Sequence, residues 1–529
     1  MSQNTFIKKS NATTTKCIDY FCTDNLRPQL KVLAIRGTGA TVFAQLLNYG
    51  IQLIGAIILS RILTPDDFGL VAMVMVISLL LANFGGNGFT EAIIQEEKID
   101  HIQTSTLFWI NAGISSTLTL LFIALAPIFA LLYNDQRIIN ITVVGGGLII
   151  LSALATLHMA LLKRRMQFYH VAANVIVGGF VSTAVSITMA LLGFGYWSLV
   201  AKHISYAASI TIGAWLLCKW RPGYPTNFAR VKSMLKFALN VYGNFCINYL
   251  SRNVDKMLTG KYLGSTQLGQ YDRAHLLFGM FHNQLTMPVS NVAVATLSRL
   301  RDDRVKFLEY YVKILSVIAF LAMPLSAVLV LIGQDLILFL FGKQWSVAGH
   351  VFIAFGPAIG FMLLYSTHVW LHYSMGRADR LFKWSIVATA VTVVLFFAGI
   401  PYGVLGVAVA YSASYYILMI PGLLYAGQPI RLKLSHILSS AWKCFTAALF
   451  AGLLCSYIFS WTFISEVFVG LNIIVRILAQ SFCCSALYLT VLIVLYRRFS
   501  PILQFFVVLR DMVPWPLFRG RNAQSIGHI

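Results

Sequence analysis

The chain is divided into apolar stretches of about 20 residues separated by polar turns, and this is the length that an α-helix needs to cross the hydrocarbon core of a membrane. Of the 529 residues, 58% are apolar and 11% are charged, whereas about 25% are charged in a typical soluble domain. So few charges cannot cover a surface that faces water. The sequence therefore predicts an all-α integral membrane protein with about 14 transmembrane helices. These helices are predicted near residues 38–61, 68–94, 105–132, 138–162, 170–192, 195–218, 235–259, 271–298, 312–340, 348–373, 382–400, 403–425, 438–462 and 468–496.

The order of these spans predicts two six-helix lobes followed by two accessory helices. A basic linker, CKWRPGYPTNFARVKSMLK, separates the lobes. The polar N-terminal segment has no apolar core, so a cleaved signal peptide is not expected there. The predicted parts are an N-terminal cytosolic tail (1–37), an N-lobe (38–218), a cytosolic linker (219–234), a C-lobe (235–425), accessory helices 13 and 14 (426–496) and a cytosolic C-terminal tail (497–529).

The Lys and Arg residues are distributed unevenly between alternate connections. If the N-terminus is cytosolic, the inside connections and tails hold thirty-one of the 40 Lys and Arg residues. The outside connections hold only Arg61, Arg137, Lys261 and Lys343. This positive-inside bias predicts that both termini are cytosolic. It also accounts for the net charge of +22, so nucleic acid is not expected as a partner.

The chain contains an internal repeat. Residues 46–69 align without a gap on residues 246–269, so that Asn48-Tyr49 falls on Asn248-Tyr249 and Gly69 falls on Gly269. This shift of 200 residues corresponds to six helices, an even number, and predicts two parallel repeats related by an axis along the membrane normal. Transporters built from two rigid bundles have this organisation.

Helix-breaking residues fall at matched places in the two repeats. Broken helices at corresponding positions are predicted to line a transport pathway, because freed backbone groups are tolerated only against protein or water. The alternative is that Gly and Pro are simply frequent in membrane helices. The residues concerned are Gly85, Gly86, Gly88 and Pro288 in the second helices of the lobes, and Pro127 and Pro324 in the third.

Charged residues within the spans are mainly cationic. Arg252, Asp255 and Lys256 are spaced to share one face of the seventh helix, Arg273 begins the eighth, and Lys202 lies in the sixth. A charge inside a membrane is costly unless it faces a cavity or a partner. The four cations are therefore predicted to bind an anionic substrate group. Lys256 could instead extend to the membrane surface, and Arg273 could cap the membrane edge.

Two acidic residues are candidates for coupling or switching. Asp255 is predicted to pair with Arg252 or Lys256 while the substrate site is empty, and Glu91 follows the glycine break of the second helix. A coupling proton and a coupling sodium ion are both left open. Arg476 is interpreted as one half of an ion pair between helices.

No catalytic, cofactor or metal site is expected. The eight Cys residues contain no CxxC pair, and there is no phosphate loop of the GxxxxGK[ST] type. No predicted connection is long enough to form a soluble domain with paired acids. An enzymatic role is therefore not expected.

Several segments resemble one known family. They resemble Wzx-type polysaccharide flippases of the WzxC-like branch, in the multidrug/oligosaccharidyl-lipid/polysaccharide (MOP) exporter superfamily. The resemblance runs from about residue 34 to residue 425. The segments are SRILTPDDFGLVAM (60–73), GFTEAIIQEEKI (88–99), STLFWINAGI (105–114), NYLSRNVDKMLTGKYLGSTQLGQYDRAH (248–275), TLSRLRDD (296–303), GKQW (342–345) and MGRADRLFKWSIV (375–387).

The resemblance implies a V-shaped exporter of the bacterial inner membrane that works by alternating access. Its substrate would be a polyprenyl-diphosphate-linked oligosaccharide used to assemble exopolysaccharide, capsule, colanic-acid-like polymer or O-antigen. Its expected partners are a polysaccharide polymerase and chain-length machinery, and the exporter itself is expected to be a monomer. Two alternatives are a cation-coupled small-molecule antiporter of the same superfamily and a membrane polysaccharide polymerase.

The predicted topology can be tested with reporter fusions. Reporters placed after Lys98 and after Lys261 are expected to lie on opposite sides of the membrane, because an odd number of predicted spans separates them. Alkaline phosphatase and green fluorescent protein fusions measure the two sides. A report from the same side for both fusions would contradict the topology.

Overall fold

The computed structural model describes residues 30–96, 99–226, 231–461 and 471–496, together with Phe21. In these ranges the chain forms helices joined by short connections, and they contain no β-strand. The predicted N-terminal and C-terminal tails lie largely or wholly outside the described residues. The α-helices are α1 (Leu30–Ile62), α2 (Pro65–Gly86), α3 (Phe89–Gln95), α4 (His101–Ala124), α5 (Ala126–Tyr133), α6 (Arg137–Arg164), α7 (Phe168–Leu191), α8 (Trp197–Leu217), α9 (Lys232–Ser251), α10 (Val254–Arg299), α11 (Arg304–Phe341), α12 (Ser346–Ser374), α13 (Ala378–Gly399), α14 (Gly403–Gly427), α15 (Leu434–Ser460) and α16 (Ile473–Tyr496).

The all-α membrane fold is confirmed. Within the described ranges, 10 helical stretches are long and apolar enough to cross a membrane. The count of fourteen stays a prediction, because α8, α9 and α10 are not among these stretches and α13 and α14 are counted as one stretch, Ala378–Ile430. The backbone of α10 also leaves the helical region at Gly264, where φ is 84°. At that point the chain turns from the predicted seventh span into the eighth.

The helices pack as two bundles. In the first bundle, α7 packs on α1 and α8, while α6 packs on α2, α4 and α8. In the second, α12 packs on α10, α11 and α14, and α13 packs on α14. The main contact between the bundles is the packing of α2 against α10. The residue bounds of the predicted domains stay predictions.

The start of α2 is determined by local sequence. The Thr64 side chain accepts a hydrogen bond from the Asp67 backbone N–H, and the Asp67 carboxylate accepts one from the Thr64 backbone N–H. Pro65 occupies the first turn, where its missing N–H costs nothing. The sequence TPDD therefore ends the connection from α1 and directs α2 toward α10.

Two repeat-related glycines allow α2 and α10 to cross closely. A Cβ atom at Gly69 would collide with the carbonyl oxygen of Ser265, and one at Gly269 would collide with the carbonyl oxygen of Pro65. Since 65 and 265 are also repeat-related positions, the two collisions are equivalent. Small residues at helix crossings let backbones approach in membranes. The two halves of the repeat therefore meet at their own symmetry axis, as expected for parallel repeats.

Two repeat-related cations connect the bundles at the same end, which we call the Arg61 end. Arg61 of the first bundle donates to the carbonyl oxygens of Phe339 and Leu340 at 2.5 and 3.1 Å, near the C-terminus of α11. Lys261 of the second bundle donates to the carbonyl oxygen of Leu132 at 2.5 Å, near the C-terminus of α5. The last carbonyls of a helix lack partners within the helix and attract cations. Each bundle thus caps a helix of the other.

The bundles also touch at the opposite end of α2. The Tyr242 hydroxyl of α9 donates to the carbonyl oxygen of Leu80 at 2.9 Å. A Cβ atom at Gly88, which precedes α3, would lie 2.8 Å from the carbonyl oxygen of Ala238. The glycine break of the second span therefore permits α3 to approach α9.

The two C-terminal helices are attached to the second bundle. Arg476 of α16 forms an ion pair of 2.8 Å with Asp335 of α11, which confirms the predicted interhelix pair. The Tyr488 hydroxyl donates to the carbonyl oxygen of Phe320 at 3.0 Å. Because of these bonds and the packing of α15 on α11, α15 and α16 form an extension of the second bundle.

Removing both capping cations is expected to loosen the Arg61 end. In an Arg61→Gln/Lys261→Gln double variant, the C-terminal carbonyls of α5 and α11 lose charged donors, each worth roughly 0.3–1 kcal/mol at a helix terminus. Hydrogen–deuterium exchange should become faster in peptides covering 63–70 and 262–270. Lys343→Gln removes another cation of the predicted outer connections and serves as the control. Wild-type protection in the double variant would show that the two cations do not hold the bundles together.

Candidate functional site

A cavity of about 650 Å³ lies between the two bundles. Its walls come from α1, α2, α7 and α8 of the first bundle and from α9, α10 and the turn between them in the second. Small-molecule sites usually occupy about 300–1,000 Å³. This cavity therefore has the volume of a binding site, and it lies where two-bundle transporters bind their substrates.

The lining of the cavity follows the internal repeat. Seven positions of α1 and α2 line it together with the positions 200 residues later. On the first bundle these side chains are aromatic or aliphatic, whereas several partners on the second are polar or charged. The pairs are Tyr49 and Tyr249, Leu53 and Asn253, Ala56 and Lys256, Ala72 and Asp272, Met75 and His275, Val76 and Leu276, and Leu79 and Gly279.

Three cations line the cavity, and they come from both bundles. Lys202 belongs to α8 of the first bundle, while Lys256 and Arg273 belong to α10 of the second. Asp272 is the one carboxylate in the described lining. With histidines neutral, the described lining therefore carries a surplus of positive charge.

Asp272 forms ion pairs with two of these cations. Its Oδ1 lies 2.7 Å from Nζ of Lys256, and its Oδ2 lies 2.8 Å from a terminal nitrogen of Arg273. The Arg273 guanidinium also lies 4.3 Å from the ring centroid of Phe68, on α2 of the other bundle. Arg273 is buried, and its Nε has no hydrogen-bond partner among the described residues. Lys202 has no carboxylate within 4.0 Å in the part of the chain that is described.

Arg252, the predicted leader of the cationic set, does not line the cavity. The predicted continuous seventh helix is wrong at this point, because α9 ends at Ser251 and α10 begins at Val254. Arg252 lies in the intervening turn with its side chain exposed, while the next residue, Asn253, lines the cavity. The predicted shared face for Arg252 and Lys256 is therefore interrupted.

Asp255 also has partners that differ from the prediction. Instead of pairing with Lys256, it is buried with Oδ2 accepting a hydrogen bond of 2.8 Å from the Tyr271 hydroxyl. Nε2 of His275 lies 3.8 Å from the same oxygen. Oδ1 has no hydrogen-bond partner among the described residues. The helical spacing of Asp255 and Lys256 did not reveal that Lys256 has a nearer carboxylate, Asp272.

The remaining candidate residues lie away from this cavity. Glu91 is exposed on α3. None of the six predicted helix breakers belongs to the described lining, and their assignment to a transport pathway stays a prediction. Their places are Gly85 and Gly86 at the end of α2, Gly88 before α3, Pro127 in the first turn of α5, Pro324 within α11 and Pro288 within α10, where the side chain of Pro288 falls outside the description.

Sequence reasoning did not assign a role to several lining residues. Tyr49 and Tyr249 were visible as matched positions of the repeat, but their place on the cavity depends on how the bundles meet. The sequence places the charged residue Asp272 next to Arg273 in a predicted apolar span, but this position alone does not indicate its role. His203 and Tyr206 follow Lys202 on α8 without a distinctive pattern. Within the described ranges, no three His, Cys, Asp or Glu side chains are grouped as metal ligands.

A family model described as "Polysaccharide biosynthesis protein" matches residues 58–350. The chain is 26% identical to the succinoglycan biosynthesis transport protein ExoT of Rhizobium meliloti, over 68% of this chain and 72% of that protein. It is 22% identical to the lipopolysaccharide biosynthesis protein WzxC of Escherichia coli, over 60% of this chain and 65% of that protein.

Among solved structures, the lipid II flippase MurJ in an inward closed conformation matches with a TM-score of 0.70 at 16% identity. The match covers 88% of this chain and 99% of that chain, so the two share a fold. The family match includes the α2–α10 crossing and all of the cavity-lining cations. These findings confirm the resemblance found in the sequence, and the chain belongs to the family of polysaccharide biosynthesis proteins.

Proposed function

We propose that this protein is a flippase that moves a polyprenyl-diphosphate-linked oligosaccharide across the bacterial inner membrane for surface polysaccharide assembly. ExoT is named as a transport protein of succinoglycan biosynthesis, and WzxC is named as a protein of lipopolysaccharide biosynthesis. MurJ, which shares the fold, is named as a lipid II flippase. These names support a transport role on a lipid-linked saccharide.

The observation that carries the proposal is the cationic cavity between the bundles. A diphosphate that links a lipid to a sugar bears one negative charge on each phosphate group. Lys202, Lys256 and Arg273 supply cations from both sides of the cavity, and charge-assisted bonds to phosphate oxygens are the strong hydrogen bonds of proteins. A partly desolvated anion at this position would contact both bundles at once.

The same cavity argues against the alternative functions. An antiporter for cationic drugs needs acidic side chains facing its substrate, whereas three cations and one carboxylate face this cavity. A polymerase needs catalytic groups, whereas ExoT is named as a transport protein and MurJ as a flippase.

The two-bundle fold supports alternating access by rocking about the central site. The ligand can drive such a change only if it contacts the two states differently. Lys202 lies on one bundle and Arg273 on the other, so their separation changes when the bundles move. Opening at the Arg61 end would also break the two cross-bundle caps.

The cellular setting follows from the same proposal. Both termini lie in the cytosol, and the oligosaccharide is loaded from that side. The flippase acts as a monomer that passes its cargo to a polysaccharide polymerase and its chain-length machinery. The positive-inside distribution of Lys and Arg supports this orientation.

Asp255 is proposed as the coupling group for a proton or a sodium ion, with Glu91 as the second candidate. Asp255 is buried next to Tyr271 and His275, and one of its oxygens has no hydrogen-bond partner among the described residues. A buried acceptor of this kind is costly unless it is protonated or binds a cation in part of the cycle.

Neutralising the cavity cations is expected to abolish polymer export. Each bond to a phosphate oxygen is worth roughly 1.5–3 kcal/mol, so Lys202→Gln and Arg273→Gln should each weaken substrate binding by roughly tenfold to hundredfold. Export is measured in a strain that lacks the chromosomal copy, with immunoblots of the membrane fraction. Lys343→Gln, outside the cavity, should export normally. Normal export by both cavity variants would exclude this cavity as the diphosphate site.

Asp255→Asn is expected to uncouple transport while preserving the shape of the side chain. Because the variant cannot ionise at this position, its export should no longer respond to imposed pH or sodium gradients. Transport by purified protein in vesicles, at matched protein amounts, measures the response. If Asp255→Asn and the wild type respond identically to both gradients, Asp255 is not the coupling group.

A further inference from the structure

We propose that Asp272 is an internal counter-ion that determines how much negative charge a ligand must bring to this cavity. The inference rests on the proposed function, because it concerns the diphosphate site of the flippase. In the proposed function the cations attract the ligand, and here Asp272 is the residue that selects the ligand by its charge. Its consequence is that the cavity accepts a diphosphate diester and rejects a phosphate diester.

The geometry of Asp272 is that of a bound anion. Its two carboxylate oxygens each hold a different cation, Lys256 at 2.7 Å and Arg273 at 2.8 Å. The oxygens of a phosphate group are held by cations at similar distances. Asp272 therefore occupies the donors that a phosphate group would use.

The charges that line the cavity determine how many negative charges a ligand should carry. Three cations and one carboxylate leave a surplus of two positive charges in the described lining. A diphosphate diester carries two negative charges and balances this surplus, whereas a phosphate diester carries one and leaves a positive charge uncompensated. Lys202 lacks a carboxylate partner in the described part, so it can bind one phosphate group while the other competes with Asp272 for Lys256 and Arg273.

A purely structural role for Asp272 predicts the opposite change in anion affinity when Asp272 is removed. If Asp272 only positioned Lys256 and Arg273, its removal would let these side chains move and would weaken the binding of every anion. If Asp272 competes with the ligand, its removal frees both cations and strengthens binding. The direction of the change in affinity therefore distinguishes the two roles.

The experiment compares two small probes on the full-length protein purified in detergent. P1,P2-dimethyl diphosphate carries two negative charges and dimethyl phosphate carries one, and isothermal titration calorimetry measures both affinities. The wild type should prefer the diphosphate. Asp272→Asn should bind dimethyl phosphate about tenfold more tightly, since a freed cation then offers it a charge-assisted bond.

Two further variants test whether the effect is specific to the carboxylate of Asp272. Asp272→Glu retains the carboxylate and should keep the wild-type preference. Asp335→Asn makes the same chemical change in an ion pair with Arg476, outside the cavity, and should leave both affinities unchanged. Thermal unfolding of each variant shows that it is folded.

Each outcome decides the proposal. Tighter binding of dimethyl phosphate by Asp272→Asn supports it. Unchanged or weaker binding of dimethyl phosphate by a folded Asp272→Asn overturns it while leaving the cationic site intact. If the wild type binds neither probe, the proposed diphosphate site fails and the inference falls with it.

Discussion

An ionised side chain within a membrane must face water or a partner, and this constraint organises the centre of the protein. Several kcal/mol are needed to hold an isolated charge in hydrocarbon. Lys256, Asp272 and Arg273 meet that cost by pairing with one another beside a cavity. The helices of both bundles surround these charges, so the fold encloses a charged cavity that neither bundle forms alone.

The crossing of α2 and α10 gives this chamber its geometry. Because Gly69 and Gly269 admit the backbone of the opposite helix, the two bundles approach closely near the Arg61 end. The cavity lies directly beside this crossing, since Phe68 precedes Gly69 and Asp272 follows Gly269 within one turn. Close packing and the ion pairs of Asp272 are thus found on one helix pair.

The sequence predicts the parts of this arrangement that depend on local or repeated patterns. Apolar spans indicate membrane helices, the repeat indicates two bundles, and cations such as Lys202 and Arg273 stand out within apolar surroundings. Other features depend on tertiary contacts and could not be predicted from the sequence. The turn at Arg252 is one such feature, because no Pro or Gly marks it in the sequence. The partner of Lys256 is another, since spacing along one helix favoured Asp255 whereas the chain reversal at Gly264 brings Asp272 closer. The number of spans is hardest to predict where helices carry charged residues, because those charges lower the hydropathy by which spans are recognised.

The two walls of the cavity differ chemically, and this difference affects how a molecule can be oriented between them. Two identical halves would enclose a chamber with twofold symmetry, in which an elongated amphiphile would have two equivalent orientations. Here Ala56 and Ala72 stand where the other half has Lys256 and Asp272, so the two walls are not equivalent. An elongated molecule in this chamber would therefore have two inequivalent orientations, because three of the four charged lining residues, Lys256, Asp272 and Arg273, lie on the second bundle. Asymmetry between the repeated halves thereby gives the chamber a chemical direction that a symmetric chamber would lack.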